Sequence, residues 1–123
     1  NLSCKVNNLT TEWGIIMPKN LKVAELLDIY GNLLNEKQRT SLEFYYYEDL
    51  SLSEIAENIG VSRQGVRDVI KRAENFLFFA EQELKLLQKR ESFIEVIELL
   101  KQQDLSNEAK ELVSKLENLT KES

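Results

Sequence analysis

The stretch from Leu52 to Lys71, with the sequence LSEIAENIGVSRQGVRDVIK, constrains the fold more than any other part of the chain. Ala56 stands four positions before Gly60, and apolar residues flank this pair at the spacings of two short helices that share a core. These apolar residues are Ile55, Ile59, Val61, Val66 and Val69. We expect the helices to cross closely at Ala56 and the chain to turn with positive φ at Gly60. The pattern predicts a helix-turn-helix.

Two helix-start signals frame this motif. Ser51 and Glu54 have the spacing of a capping box, in which the serine caps the first helix and the glutamate reaches back to the serine amide. Ser62 directly follows the turn and is placed to cap the second helix. The alternative is an ordinary helical hairpin that binds no ligand.

The second helix of the motif would carry a polar and mainly basic outer face. Such side chains contact phosphates and base edges in protein–nucleic acid complexes. The candidate nucleic-acid-binding residues are Ser62, Arg63, Gln64, Arg67, Asp68, Lys71 and Arg72. This segment holds four basic residues and one acidic residue, a local charge of +3 in a chain whose net charge is −5. We therefore expect a local contact surface rather than a protein that coats nucleic acid by charge alone.

The rest of the chain predicts an all-α protein, because it has one Pro and four Gly and no alternating strand pattern. Apolar residues at steps of three and four predict a first helix from about Leu21 to Leu34. Asn35 and Gln38 form a second capping box, which opens a helix that ends near Tyr47.

A seven-residue apolar repeat predicts one long helix from Arg63 to about Arg90. The repeat consists of Val66, Ile70, Ala73, Leu77, Ala80, Leu84 and Leu87. Ser92 and Glu95 predict the start of the next helix, and Ser106 predicts the start of the last one.

We thus expect three parts in the chain. Residues 1–18 form an N-terminal extension, of vector or upstream origin, because Met17-Pro-Lys-Asn looks like a natural start. Residues 19–90 form the helix-turn-helix domain with its long helix, and residues 91–123 form a C-terminal helical hairpin.

Five consecutive apolar residues, Phe76 to Ala80, would cover the whole circumference of the long helix. Burial within the chain or in a homodimer is favoured over a site for a foreign protein. Phe76, Phe78 and Phe79 are the candidate partner surface. The run Tyr45 to Tyr47 suggests base stacking, but its helical position favours core packing.

The composition excludes several kinds of chemistry. The chain has no His and one cysteine, Cys4, which excludes an internal disulfide, a Cys/His zinc site and a His-dependent catalytic triad. We expect no enzyme activity, no cofactor and no metal. No apolar run is long enough to span a membrane and no secretory signal is visible, which favours the cytoplasm and a free thiol at Cys4.

Four segments resemble the YlxM family, small bacterial proteins typically encoded beside the GTPase of the signal recognition particle. They are NEKQR at 35–39, LEFYY at 42–46, DLSLSEIA at 49–56 and VSRQ at 61–64. The resemblance covers roughly residues 19–90 and, more loosely, the C-terminal helices. Its helix-turn-helix is similar to region 4 of the sigma-70 class of transcription factors. Where the family usually has Gln-Ala-Val-Tyr-Asp, this chain has Gln64-Gly-Val-Arg-Asp68. Gly65 weakens the helix by ~1 kcal/mol relative to Ala, and Arg67 adds a basic residue.

The resemblance implies an all-helical fold, a surface of the nucleic-acid-binding type and a regulatory role in the particle's pathway. Two hypotheses follow. In the first, the basic face binds promoter-like DNA or the structured RNA of the particle. In the second, the helix-turn-helix is a scaffold that no longer binds nucleic acid, and the long helix binds a protein such as the particle GTPase or polymerase. We also expect a homodimer in which the segment from Phe76 to Phe79 and the C-terminal helices exclude water together.

Overall fold

The computed structural model describes residues 19–121, and in this range the chain forms six α-helices and no strand. The helices are α1 (Leu21–Tyr30), α2 (Glu36–Tyr46), α3 (Leu52–Ile59), α4 (Arg63–Leu84), α5 (Leu86–Lys101) and α6 (Asn107–Lys121). The predicted all-α fold is confirmed. The predicted N-terminal extension at residues 1–18, with Cys4, lies outside the described residues.

The first helix is shorter than its apolar stripe suggests. α1 ends at Tyr30, and the chain tightens into a 3-10 turn over Gly31–Leu33. Leu34 is buried, whereas Leu33 is exposed, because the tighter turn changes which residues face the core. The capping box at the start of α2 is confirmed: the Gln38 amide donates to the Asn35 side chain at 2.8 Å, and the Asn35 amide donates to the Gln38 side chain at 3.2 Å.

The helix-turn-helix core is confirmed at its centre. Ile55 and Val66 are fully buried and Ala56 is buried between them. Ile59 and Val61, which flank the turn, are only half-buried. The buried stripe of α4 follows the predicted repeat and consists of Val66, Ile70, Ala73, Leu77 and Ala80.

The predicted long helix to Arg90 is wrong, because α4 ends at Leu84. The helix is interrupted at Lys85, which adopts the left-handed conformation with φ 57° and ψ 31°. The Glu81 carboxylate accepts hydrogen bonds from the backbone amides of Leu87 and Gln88, each at 3.1 Å. These bonds satisfy two amides at the start of α5, so a new helix begins without a serine or asparagine cap.

The capping box predicted at Ser92 is therefore also wrong, since Ser92 lies inside α5. The cap predicted at Ser106 is confirmed, because its hydroxyl accepts the Ala109 amide at 3.1 Å.

The chain divides into two compact units between Ala80 and Glu81, whereas the predicted boundary after residue 90 falls inside α5. In the second unit α5 packs against α6. The buried apolar side chains of its described residues are Leu87, Ile97 and Val113. Lys101 on α5 forms an ion pair with Glu117 on α6 at 2.5 Å. This pair raises the pKa of Lys101 and lowers the pKa of Glu117.

Candidate nucleic-acid interface

Local hydrogen bonds and one glycine fix both ends of α3 and so the turn that leads into α4. At the start of α3, the Glu54 amide donates to Ser51 Oγ at 3.1 Å and the Ser51 amide donates to Glu54 Oε1 at 2.9 Å. These bonds hold the pKa of the Glu54 carboxyl below its ordinary value. At its end, Gly60 adopts φ 75° and ψ 32°, and the amides of Gly60 and Val61 both donate to the Ala56 carbonyl. The left-handed glycine thus ends α3 and sends the chain into α4.

Ser62 begins α4 as predicted. Its hydroxyl accepts the Gly65 amide at 3.0 Å, and its carbonyl accepts the Val66 amide at 2.9 Å. A Cβ at position 65 would lie 3.2 Å from this hydroxyl oxygen and 3.4 Å from the Val61 side chain. Gly65 therefore leaves room for the capping serine in the first turn of α4.

The structure places the predicted contact residues on the outside of α4. All seven lie between Ser62 and Arg72, and six of them are exposed, while Arg67 is half-buried. Val66 and Ile70, which alternate with them, are fully buried and anchor the opposite side of the helix. The inner side of α4 is therefore packed in the core and its outer side is basic. This basic outer face consists of Arg63, Gln64, Arg67, Lys71 and Arg72.

Asp68 introduces a negative charge into this face. Its Oδ1 accepts a hydrogen bond from Gln64 Nε2 at 3.0 Å, one helical turn away. The bond restrains the Gln64 side chain and leaves its carbonyl oxygen and one N–H available for a base edge. The Asp68 carboxylate would repel a phosphate oxygen, so the attraction of this face for an anion comes from its four cations.

A partly buried hydrogen-bond network, which the sequence did not indicate, joins α4 to the preceding helices. The Tyr46 hydroxyl at the end of α2 donates to the Glu74 carboxylate on α4. The same hydroxyl accepts the backbone amide of Asn20, the N-cap of α1, at 3.3 Å. Burial raises the pKa of Glu74, and burial together with the Glu74 bond raises the pKa of Tyr46. A glutamate on a charged helix gave no sequence signal that its partner would be a tyrosine 28 residues away.

The three consecutive tyrosines, Tyr45 to Tyr47, all interact with other residues of this chain. Tyr45 is buried, its ring meets the Tyr46 ring edge-on at 5.2 Å, and Lys19 Nζ lies 4.5 Å from its ring centre. Burial raises the pKa of Tyr45 to about 12. Tyr47 is half exposed and donates its hydroxyl hydrogen to Asp28. The preference for core packing over base stacking is confirmed for Tyr45.

The predicted partner surface on α4 is only partly covered. Leu77 and Ala80 are buried and Phe76 is half-buried, whereas Phe78 and Phe79 expose 37% and 57% of their surface. The sequence analysis expected this segment to be buried either within the chain or in a homodimer. Burial within the chain is wrong for Phe78 and Phe79. The reason is that the buried stripe of α4 follows one side of the helix, and Phe78 and Phe79 lie beside it.

Within residues 19–121 no three acidic or cysteine side chains are grouped to hold a metal ion. None of the helices in this range is long and apolar enough to cross a membrane.

Two helices are joined by a short turn with a left-handed glycine. The second helix packs one side against the core and exposes basic residues on the other. These features define a helix-turn-helix protein. Residues 17–118 match the model of the family UPF0122, described as "Putative helix-turn-helix protein, YlxM / p13 like". The chain belongs to this family, and the predicted YlxM resemblance is confirmed.

Curated relatives carry the same family name. A UPF0122 protein of Halalkalibacterium halodurans is 44% identical over 105 residues, covering 85% of this chain and 96% of the relative. One of Shouchella clausii is 41% identical over 108 residues, covering 85% and 99%. One of Clostridium kluyveri is 47% identical over 79 residues, covering 64% and 71%.

Proposed function

We propose that this protein is a non-enzymatic, cytoplasmic regulatory protein that binds nucleic acid through the basic outer face of α4. The observation that carries the proposal is that Arg63, Lys71 and the half-buried Arg67 share the outer side of a helix that follows a left-handed glycine turn. A helix of this kind enters the major groove of B-form DNA, which is ~12 Å wide.

The same geometry separates two nucleic-acid targets. The major groove of A-form RNA is too deep and narrow for side chains to read. Regular duplex DNA therefore suits α4 directly, as in a sigma region 4-like regulator, whereas RNA would have to offer a loop or bulge. A role as an accessory of the signal recognition particle, which the family resemblance implies, requires such an irregular site in the particle RNA.

The test is a binding titration with two probes, random-sequence duplex DNA and the particle RNA of the same bacterium. The double variant Arg63→Glu/Arg67→Glu should weaken binding of the bound probe by ~100-fold or more, because two attractive contacts become repulsive. The control Lys22→Glu/Lys37→Glu makes the same change in net charge at two exposed lysines on α1 and α2. It should leave most of the affinity in place.

Circular dichroism should be unchanged for both double variants, since all four positions lie outside the core. If Arg63→Glu/Arg67→Glu binds both probes as tightly as the parent, α4 is not the contact helix. Binding of the RNA alone would support the accessory role, and binding of the DNA alone would support the regulator of transcription.

A second candidate function is protein binding by α4, and the exposed Phe78 and Phe79 favour it. The partner would be the particle GTPase, polymerase or a second copy of this chain. Phe79→Glu should then reduce binding of the purified GTPase in calorimetry without changing the affinity for nucleic acid. Equal heats for parent and variant would remove the GTPase from this surface.

A further inference from the structure

The C-terminal unit exposes more large apolar side chains than it buries. Its described residues bury three large apolar side chains, those of Leu87, Ile97 and Val113. Nine others are exposed, among them Leu84, Ile94 and Leu99, and the remaining six form one stripe on each of the two helices. They are Leu86, Phe93 and Val96 on α5 and Leu112, Leu116 and Leu119 on α6, with Phe93 59% and Leu119 63% exposed. These six residues are called the C-terminal apolar surface.

We propose that the C-terminal apolar surface is a homodimer interface, in which α5 and α6 of two copies form a four-helix core. The homodimer expected from the sequence used both the segment from Phe76 to Phe79 and the C-terminal helices, and the proposal narrows the interface to six residues of the C-terminal helices. It is independent of whether α4 binds DNA or RNA.

The area is sufficient for a dimer. A half-exposed large apolar side chain offers roughly 100 Å², so the six together offer on the order of 600 Å² per copy. Two copies would bury about 1,200 Å² in total, which lies at the lower end of stable protein interfaces. A single apolar patch of that size is at the upper limit for monomeric proteins.

The partner that covers the C-terminal apolar surface must be present whenever the chain is folded. Three buried side chains cannot balance the conformational entropy lost in ordering two helices of 16 and 15 residues. Units of ~40 residues usually need a disulfide, a metal or oligomerisation to be stable. The described residues offer no metal cluster, and the sequence has a single cysteine. A second copy is the partner that is always available at matching concentration.

The charges around the surface are compatible with self-association. Glu108, Glu111 and Lys115 are exposed on α6, and Lys89 is exposed on α5. Because both signs are present, a two-fold axis can place a lysine of one copy opposite a glutamate of the other. From Glu91 to the end, eight acidic residues and four lysines give a charge of −4, which opposes binding to an anionic lipid surface.

The test is sedimentation equilibrium of the full chain in reducing buffer without nucleic acid. The parent should be a dimer at micromolar concentration. Leu116→Glu should raise the dimer dissociation constant by ~100-fold or more, because it places a charge in the centre of a dry interface. Ser114→Glu adds the same charge two residues away, at an exposed polar position of α6, and should change the constant by less than ~3-fold.

A measurement on the unmodified parent covers the case in which Leu116→Glu unfolds the unit. On dilution, hydrogen-exchange protection should fall in α5 and α6 and stay constant in α1 to α3. A parent that is monomeric at all concentrations, or protection independent of dilution, overturns the proposal. A dimer that Phe79→Glu dissociates and Leu116→Glu does not would assign the interface to α4 instead and overturn it too. None of these readouts involves nucleic acid, so failure here leaves the proposed contact by α4 untouched.

Discussion

Asp49, Gly60 and Lys85 have positive φ among the described residues, and the last two lie directly at helix ends. Gly60 has φ 75° and ends α3, whereas Lys85 has φ 57° and separates α4 from α5. Glycine reaches this region freely, but an L-residue with a side chain pays about 1–2 kcal/mol. Gly60 is therefore relaxed and Lys85 is strained.

Replacing the glycine and replacing the lysine should therefore change the free energy of unfolding in opposite directions. Gly60→Ala should lower the free energy of unfolding by about 1–2 kcal/mol. Apart from the two neighbouring residues, no atom lies within 4 Å of the added Cβ, so the cost comes from the local backbone conformation and not from the surrounding fold. Lys85→Gly should raise the free energy of unfolding by about 0.5–1 kcal/mol, because relief of the left-handed strain exceeds the added chain entropy.

Urea unfolding followed by circular dichroism gives both values. Gly60→Asn serves as the control at the turn, since asparagine tolerates the left-handed region and should cost less than alanine. A Gly60→Ala variant as stable as the parent would contradict the role of this glycine. A destabilised Lys85→Gly variant would show that the lysine side chain contributes more than its backbone strain costs.

At the scale of helices, the caps made by side chains close in sequence could be predicted. Asn35, Ser51, Ser62 and Ser106 all bond to an amide three residues ahead, so the whole signal lies within four letters. The break at Lys85 could not be predicted, since Glu81 caps α5 from the preceding helix and no glycine or proline marks the site. The seven-residue repeat continued through the break and extended the predicted helix too far.

The tyrosine network between α1, α2 and α4 predicts a loss of stability at alkaline pH. The pKa of Tyr45, Tyr46 and Tyr47 is raised in the folded protein, in each case mainly by burial. A raised pKa in the folded state gives stability that is present below the unfolded value of ~10 and is lost as pH rises above it. The free energy of unfolding should therefore fall as pH rises from 10 to about 12, the pKa of Tyr45.

Tyr46→Phe isolates one member of this network. The variant should be less stable at pH 7, because Glu74 loses its hydrogen-bond donor in a mostly buried position. It should also lose less stability than the parent between pH 10 and 12, since one fewer phenol releases a proton on unfolding. Urea midpoints measured at half-unit steps of pH test both points. A parallel pH profile for parent and variant would contradict a folded-state shift at Tyr46.

At the scale of the whole molecule, the positive charge is concentrated in one segment of a chain that is negative overall. A chain of net charge −5 carries a +3 segment on α4 and a −4 segment from Glu91 onwards. The position of the basic residues could be predicted because helical spacing fixes which of them share a side. The sequence predicted apolar stripes on the C-terminal helices but not which of their residues stay exposed, since an apolar stripe looks the same in sequence whether its own chain or a partner covers it.

This distribution predicts a small and local salt effect on nucleic-acid binding. Arg63, Arg67, Lys71 and Arg72 can neutralise about four phosphates, so a plot of log K against log salt for duplex DNA should have a slope of about −3.6. Lys71→Ala should make the slope less negative by ~0.9, because one fewer counterion is released. Lys37→Ala removes an exposed lysine of α2, and the slope should not change. A slope near −1 for the parent, or equal changes in both variants, would mean that the cations of α4 do not contact phosphate as a group.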